Sequence, residues 1–246
     1  MISTSLPSQY GGAQLTRTSM SASGLAKVLL TFLPIVVVGI TASVLGLGLM
    51  TAGFLISGAY LISVAIATGV LQADGIRWTD IGLRRPASLR RTALLAVLAL
   101  VGALVAMNIV QLTAVNLPGV VIDAPDISRF DSMKGNVPVL VVGVLATWTM
   151  IAFGEEMLFR AFLINRFGGM LNRTRVAWAV AVVASAFMFG VAHFVEGPLG
   201  MVVNGSFGLL YGSIYLASGR NLWVIIVAHG MLNTLRFVVV FRGVAG

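Results

Sequence analysis

Charge is what this chain of 246 residues has least of: Asp, Glu, Lys and Arg together make up 10% of it, against roughly 25% in an ordinary soluble domain. Cysteine is absent, which excludes disulfides, thiolate metal sites and cysteine nucleophiles. The first 26 residues lack the basic start, short apolar core and cleavage site of a signal peptide. No internal repeat suggests a transporter built from two halves. The glycine-rich stretches "GGAQL" and "GLGLMTAG" are not followed by Lys-Ser/Thr, so neither reads as a phosphate loop. No His-Glu-x-x-His pair occurs either.

What the chain has is apolar sequence, 58% of it, with a mean hydropathy of +0.99. It therefore reads as an integral membrane protein, all-α, a polytopic bundle of about seven to eight spans. The net charge of +8 lies in short basic runs between apolar segments, without the aromatic-basic interleaving of a nucleic-acid binder. That pattern matches the excess of Lys and Arg in cytoplasmic loops, so the expected partner is the lipid bilayer and not nucleic acid.

A span needs about 20 apolar residues. Residues 28–73 carry no charge and hold two spans with a turn near Gly46–Gly53. The connector 74–91, "DGIRWTDIGLRRPASLRR", carries five arginines, with Trp78 at headgroup level. Span three covers about Thr92–Val115, and the loop holding Asp123, Asp126 and Asp131 follows it on the outside. Span four starts near Val137 and runs past Arg160 to Phe167. Spans five, six and seven cover about Val176–Val195, Met201–Ala217 and Asn221–Val240. Sixteen Lys and Arg, less Arg129, Lys134, Arg236 and Arg242, leaves twelve on the inner side if the N-terminus is cytoplasmic. The expected layout is a disordered cytoplasmic tail over residues 1–27 and a membrane domain over 28–246, in the cell membrane.

Ionisable groups inside spans are costly and usually functional. Both histidines, His193 and His229, fall in spans, as do Glu155 and Glu156 of the three glutamates. Glu156 and Arg160 are four apart and can pair on one helix face. Glu155 is rotated about 100° from its neighbour and is free to point into the bundle as a candidate general base. His229 and Asn233 in "HGMLN", and Phe189 and His193 in "FGVAH", are likewise four apart. Counting 1.5 Å per residue puts His229 about 12 Å deep and Glu155 about 10–18 Å, but His193 near 25 Å.

The segments "EEMLFR", "FGVAH" and "HGMLN", in that order, resemble the EExxxR, FxxxH and HxxxN motifs of the CPBP family of intramembrane proteases, which includes CAAX prenyl endopeptidases and bacteriocin self-immunity proteins. The resemblance covers about residues 137–240, and the connector "WTDIGLRRP" is also similar to one found upstream in the family. It implies that Glu155 and His193 activate a water, that His229 and Asn233 stabilise the oxyanion, and that Glu156, Arg160 and Phe189 are structural or orienting. The implied substrate is a membrane-associated or lipid-linked peptide or protein.

Other readings stay open at this point. Buried carboxylates also serve proton-coupled transport, His229 and Asn233 can join helices, and a non-catalytic scaffold or immunity protein is the main rival. No cofactor is favoured, although Glu155, His193 and His229 would be a plausible Zn²⁺ set with an open position for water.

Overall fold

The structure, a computed structural model, describes residues 22–116 and 128–243. The expected acidic-loop residues Asp123 and Asp126, and residues 1–21 of the expected tail, lie outside the described residues. Seven helices carry the fold: α1 (Ala22–Val44), α2 (Leu49–Ala73), α3 (Leu89–Val115), α4 (Val137–Met170), α5 (Arg175–Ala192), α6 (Gly197–Ala217) and α7 (Leu222–Phe241). All seven are long and apolar enough to cross a membrane, which makes this a multi-pass membrane protein. Helix is the required state here, because a lipid-exposed backbone must satisfy its own hydrogen bonds.

The helix starts are chemically marked. Ser88, Asn136, Thr174 and Asn221 each accept a backbone N–H with the side-chain oxygen, from Arg91, Val139, Ala177 and Trp223 respectively, satisfying donors that have no partner within the helix. Leu29 and Val44 on α1, and Leu98 and Ile109 on α3, face outward, as expected where lipid is the solvent. α1 begins at Ala22, inside the stretch expected to be tail. α6 begins at Gly197, four residues before Met201, so the sequence taken as a turn between spans five and six is mostly helix. The connection left between them is the short 3₁₀ turn Phe194–Glu196.

α4 organises the bundle. Its 34 residues rise about 51 Å at 1.5 Å each, well beyond a hydrocarbon core of about 30 Å. Every residue from Glu156 to Leu163 is buried, so this part of α4 is enclosed on all sides by α1, α2, α5, α6 and α7. Two stretches, Thr147–Ile151 and Glu156–Leu163, are π-helical. Such wide turns, bonded i to i+5, are frequent at functional sites.

Close approach of α5 and α6 depends on glycine. A Cβ on Gly190 would lie 2.6 Å from the Met201 carbonyl oxygen, and one on Gly208 would lie 2.9 Å from the Ala186 Cα. Both distances are too short for any side chain, so the two backbones pack as small-residue membrane interfaces do.

The ends of the helices separate by charge. The α2–α3 connector, the α4–α5 turn and the α6–α7 turn lie at one end together with Lys27 of α1. At that end Asp74 accepts ion pairs from Lys27 (2.7 Å) and Arg166 (2.5 Å), tying α1, α2 and α4 together. Burial pushes the Asp74 carboxyl up, but hydrogen bonds from Lys27 and Arg166 outweigh it and hold the group below its ordinary value.

Candidate functional site

Glu155 closes an α-helical turn of α4, and Glu156 opens the π-helical stretch. Both carboxylates reach the same partner, His229 of α7. Glu156 Oε1 lies 2.8 Å from Nδ1 of His229, and Glu155 Oε2 lies 3.8 Å from its Nε2. All three residues are buried. Ordinary helical spacing aims Glu155 alone into the bundle and reserves Glu156 for Arg160. In the structure the imidazole bridges the pair, and Glu156 serves both His229 and Arg160.

Arg160 is fully buried, with Nε 3.2 Å from Glu156 Oε2. That contact has ion-pair distance but lacks hydrogen-bond alignment, and all three guanidinium nitrogens are without a hydrogen-bond partner. The cation is instead laid over the ring of Phe189, 4.2 Å from its centroid, an arrangement that stabilises a desolvated guanidinium by roughly 2 kcal/mol. Phe189 thus supplies the π-face for the arginine of the first motif.

The same phenylalanine leads to His193. The His193 ring lies 4.6 Å from that of Phe189, and its Nδ1 donates to the Phe189 carbonyl at 2.8 Å. A carbonyl can only accept, so Nδ1 carries the hydrogen and the neutral ring offers a lone pair at Nε2. His193 is the C-terminal cap of α5 and only half-buried.

The depth mismatch resolves through one hydrogen bond. Ser185 Oγ donates to the Phe159 carbonyl at 2.7 Å, which sets α5 level with α4 at that point. Four residues in opposite chain directions bring Glu155 level with Phe189. His193 lies another four residues on, about 6 Å along the axis. The mismatch comes from measuring every helix from a common membrane plane, whereas α4 continues to Met170, beyond the expected end at Phe167. Glu155 and His193 are therefore separated by about one helical turn in depth.

Asn233, one turn beyond His229 on α7, is half-buried and on the same helix face. Gly230, next to His229, allows the Trp148 indole of α4 to press against α7, since a Cβ there would lie 2.8 Å from the ring. Trp148 Nε1 also donates to Thr234 Oγ1 at 3.1 Å, so α4 and α7 are pinned beside the site.

Three aromatic residues pack against the cluster without a signal in the sequence. Tyr60 of α2 is buried and interacts electrostatically with Glu155. Phe207 of α6 stands between Phe189 and His229, at 6.3 and 5.3 Å between ring centroids. Tyr211, one turn further, has its ring 6.2 Å from His229 and a buried hydroxyl without a hydrogen-bond partner. A lone tyrosine in an apolar run looks like core, and only the packing reveals what each one faces.

The donors suggested for zinc can be tested on the same geometry. Among the described residues no three His, Asp or Glu side chains are grouped so as to hold a metal ion.

The fold and site define a helical membrane protein with a buried carboxylate–imidazole–guanidinium cluster on its central span. Residues 137–235 match a family model described as Rce1-like, type II CAAX prenyl endopeptidase Rce1-like. The resemblance to the CPBP family is thereby shown over that segment, which runs from the start of α4 to the middle of α7 and includes all three motifs. No curated protein and no solved structure matches the chain.

Proposed function

We propose that the protein is an intramembrane endopeptidase that hydrolyses a peptide bond in a membrane-associated or lipid-linked substrate. The observation that carries this reading is the His229 imidazole held between two buried carboxylates, at 2.8 Å and 3.8 Å. The longer distance exceeds a hydrogen bond, yet one water can lie about 2.8 Å from both Glu155 Oε2 and His229 Nε2.

In this reading His229 is the imidazolium, on charge balance. Glu155, Glu156 and Arg160 sum to one negative charge, and a net charge is costly in a membrane interior. With His229 as imidazolium the cluster is neutral. Its Nδ1–H then donates to Glu156, leaving the Nε2–H directed toward the water and the oxyanion.

In the reaction, Glu155 takes a proton from the water as its oxygen attacks the scissile carbonyl carbon. The oxyanion accepts hydrogen bonds from His229 Nε2 and the Asn233 amide, and His193 Nε2 is a second acceptor that orients the water. Glu155 then passes its proton to the amide nitrogen as the C–N bond breaks, releasing an amine and a carboxylic acid. Glu156, Arg160 and Phe189 position the cluster. No step needs a metal.

In this reading residues 137–240 are the catalytic core, the earlier helices support it, and the N-terminus is cytoplasmic in the cell membrane. The decisive experiment compares the membrane peptidomes of cells carrying wild-type protein and Glu155→Gln, with and without a strong chelator. Peptides that vanish with Glu155→Gln and survive chelation support metal-independent proteolysis. Identical peptidomes would leave the protein as a non-catalytic scaffold.

A further inference from the structure

We propose that Arg84, Arg173 and Arg220 form a binding site for the phosphate group of an anionic phospholipid, at the arginine-rich end of the bundle. These residues come from three different connectors, and the fold spends specific contacts on bringing them together. Among the described residues none of the three pairs with a carboxylate. The acids at this end are taken: Asp74 by Lys27 and Arg166, and Asp80 by Arg77.

The platform beneath them is built from main-chain contacts. Tyr215 Oη donates to the Ile81 carbonyl at 2.5 Å, the Leu222 N–H donates to the Gly82 carbonyl at 3.2 Å, and Arg84 Nη2 donates to the Gly219 carbonyl at 3.4 Å. Gly82 has φ +114°, and a Cβ on it would collide with the Arg220 carbonyl oxygen. Asn221 Nδ2 adds a bond to Thr92 Oγ1 at 2.8 Å. The α6–α7 turn is therefore clamped to the α2–α3 connector, which sets Arg84 beside Arg220.

Arg173 is held near them from the α4–α5 turn. Arg173 and Arg220 both occupy left-handed backbone, at φ 56° and 63°, a conformation that costs a non-glycine residue of order 1 kcal/mol or more. Arg220 lies over the Trp178 indole, 4.4 Å from the ring centroid, and that indole packs against Gly168, just before Arg173. Burial and the neighbouring Arg220 charge push the Arg173 guanidinium below its ordinary value. Two strained arginines that repel one another are an arrangement the fold tolerates with an anion between them. A phosphodiester suits guanidinium forks, and the site lies at the end of the spans, where lipid headgroups are.

The experiment uses the full chain in detergent, titrated with phosphatidylglycerol, with phosphatidylcholine of the same chain length, and with inorganic phosphate, and reads the midpoint of thermal unfolding. Phosphatidylglycerol is expected to raise the midpoint saturably and the other two are not. Arg84→Gln, Arg173→Gln and Arg220→Gln are each expected to weaken the response about fivefold. Arg77→Gln, on the same face but paired with Asp80, is the control and leaves it intact.

An equal response to phosphatidylcholine, or an Arg77→Gln loss as large as that of Arg220→Gln, overturns the site in favour of diffuse charge attraction. Saturation by millimolar inorganic phosphate overturns the lipid assignment. Should Arg220→Gln fail to fold, Arg84 and Arg173 carry the test alone. None of these residues contacts the cluster around His229, so the result is independent of the peptidase reading.

Discussion

Nδ1 of His229 and Oε1 of Glu156 are 2.8 Å apart, although 73 residues of chain separate them. Glu156 also faces Arg160 on its own helix. One carboxylate thus connects the first and third motifs, and its loss removes a partner from both.

Glu156→Gln should accordingly damage the fold as well as the chemistry. It leaves Arg160 buried without a counter-charge, a change that costs about 3–5 kcal/mol. Thermal unfolding in detergent is expected to show a large drop in midpoint. The double variant Glu156→Gln/Arg160→Met should recover much of it, a coupling that a double-mutant cycle measures. Additive losses would mean that the two residues do not act as a pair.

Glu155→Gln should behave in the opposite way. Its carboxylate lies 3.8 Å from His229 Nε2 and faces no cation on α4, so the unfolding midpoint should fall less than in Glu156→Gln while proteolysis falls by roughly 10²–10⁴-fold, the usual contribution of a general base. Turnover of a reporter peptide and an unfolding curve on the same preparation check both halves.

Phe189→Leu tests the support beneath Arg160. The substitution keeps apolar volume but removes the π-face 4.2 Å from the guanidinium, a loss of about 2 kcal/mol in a desolvated setting. If the ring were only a spacer, the unfolding midpoint of Phe189→Leu would match that of wild type.

Gly230→Ala should misplace His229 without touching any charged group. The added Cβ meets the Trp148 indole at 2.8 Å, and either α7 or the indole must move. Activity should fall at least tenfold, because a shift of 1 Å at a catalytic group can cost 10²-fold. Adding Trp148→Leu should relieve the clash and restore part of the activity.

The Asp74 ion pairs give a pH prediction with a definite sign. The folded carboxyl lies below its ordinary value of 3.8, so its contribution is complete above that value and is lost as pH falls through the folded one. The stability advantage of wild type over Asp74→Asn should be constant from pH 5 to 7 and should shrink below about pH 4. Unfolding midpoints across that range decide it. An advantage that persists at pH 2 would assign the effect to packing.

Apolar run lengths made the seven spans legible in the sequence, and the Glu156–Arg160 pair followed from helical spacing. The meeting of both glutamates with His229 did not, because His229 lies 73 residues from Glu156 on another helix and spacing within α4 says nothing of its position. Nothing local in "FGEEMLFR" marks a wide turn; its enclosure by five other helices is a tertiary property. The contacts of Tyr60 and Tyr211 were hidden for a related reason, since their partners Glu155 and His229 lie on other helices. The depth of His193 needed the Ser185–Phe159 bond, a register between helices that composition cannot supply.

The wide turn in α4 also makes the site sensitive to chain length. A π turn holds one residue more than the α-helix that would replace it. Deleting a single residue from Ala161–Leu163 would let the helix rewind to ordinary pitch and swing everything on one side of the cut relative to the other. Glu155, Glu156 and Arg160 would then turn together relative to the rest of α4, with every motif residue still present. In this span the count of residues matters as much as their identity.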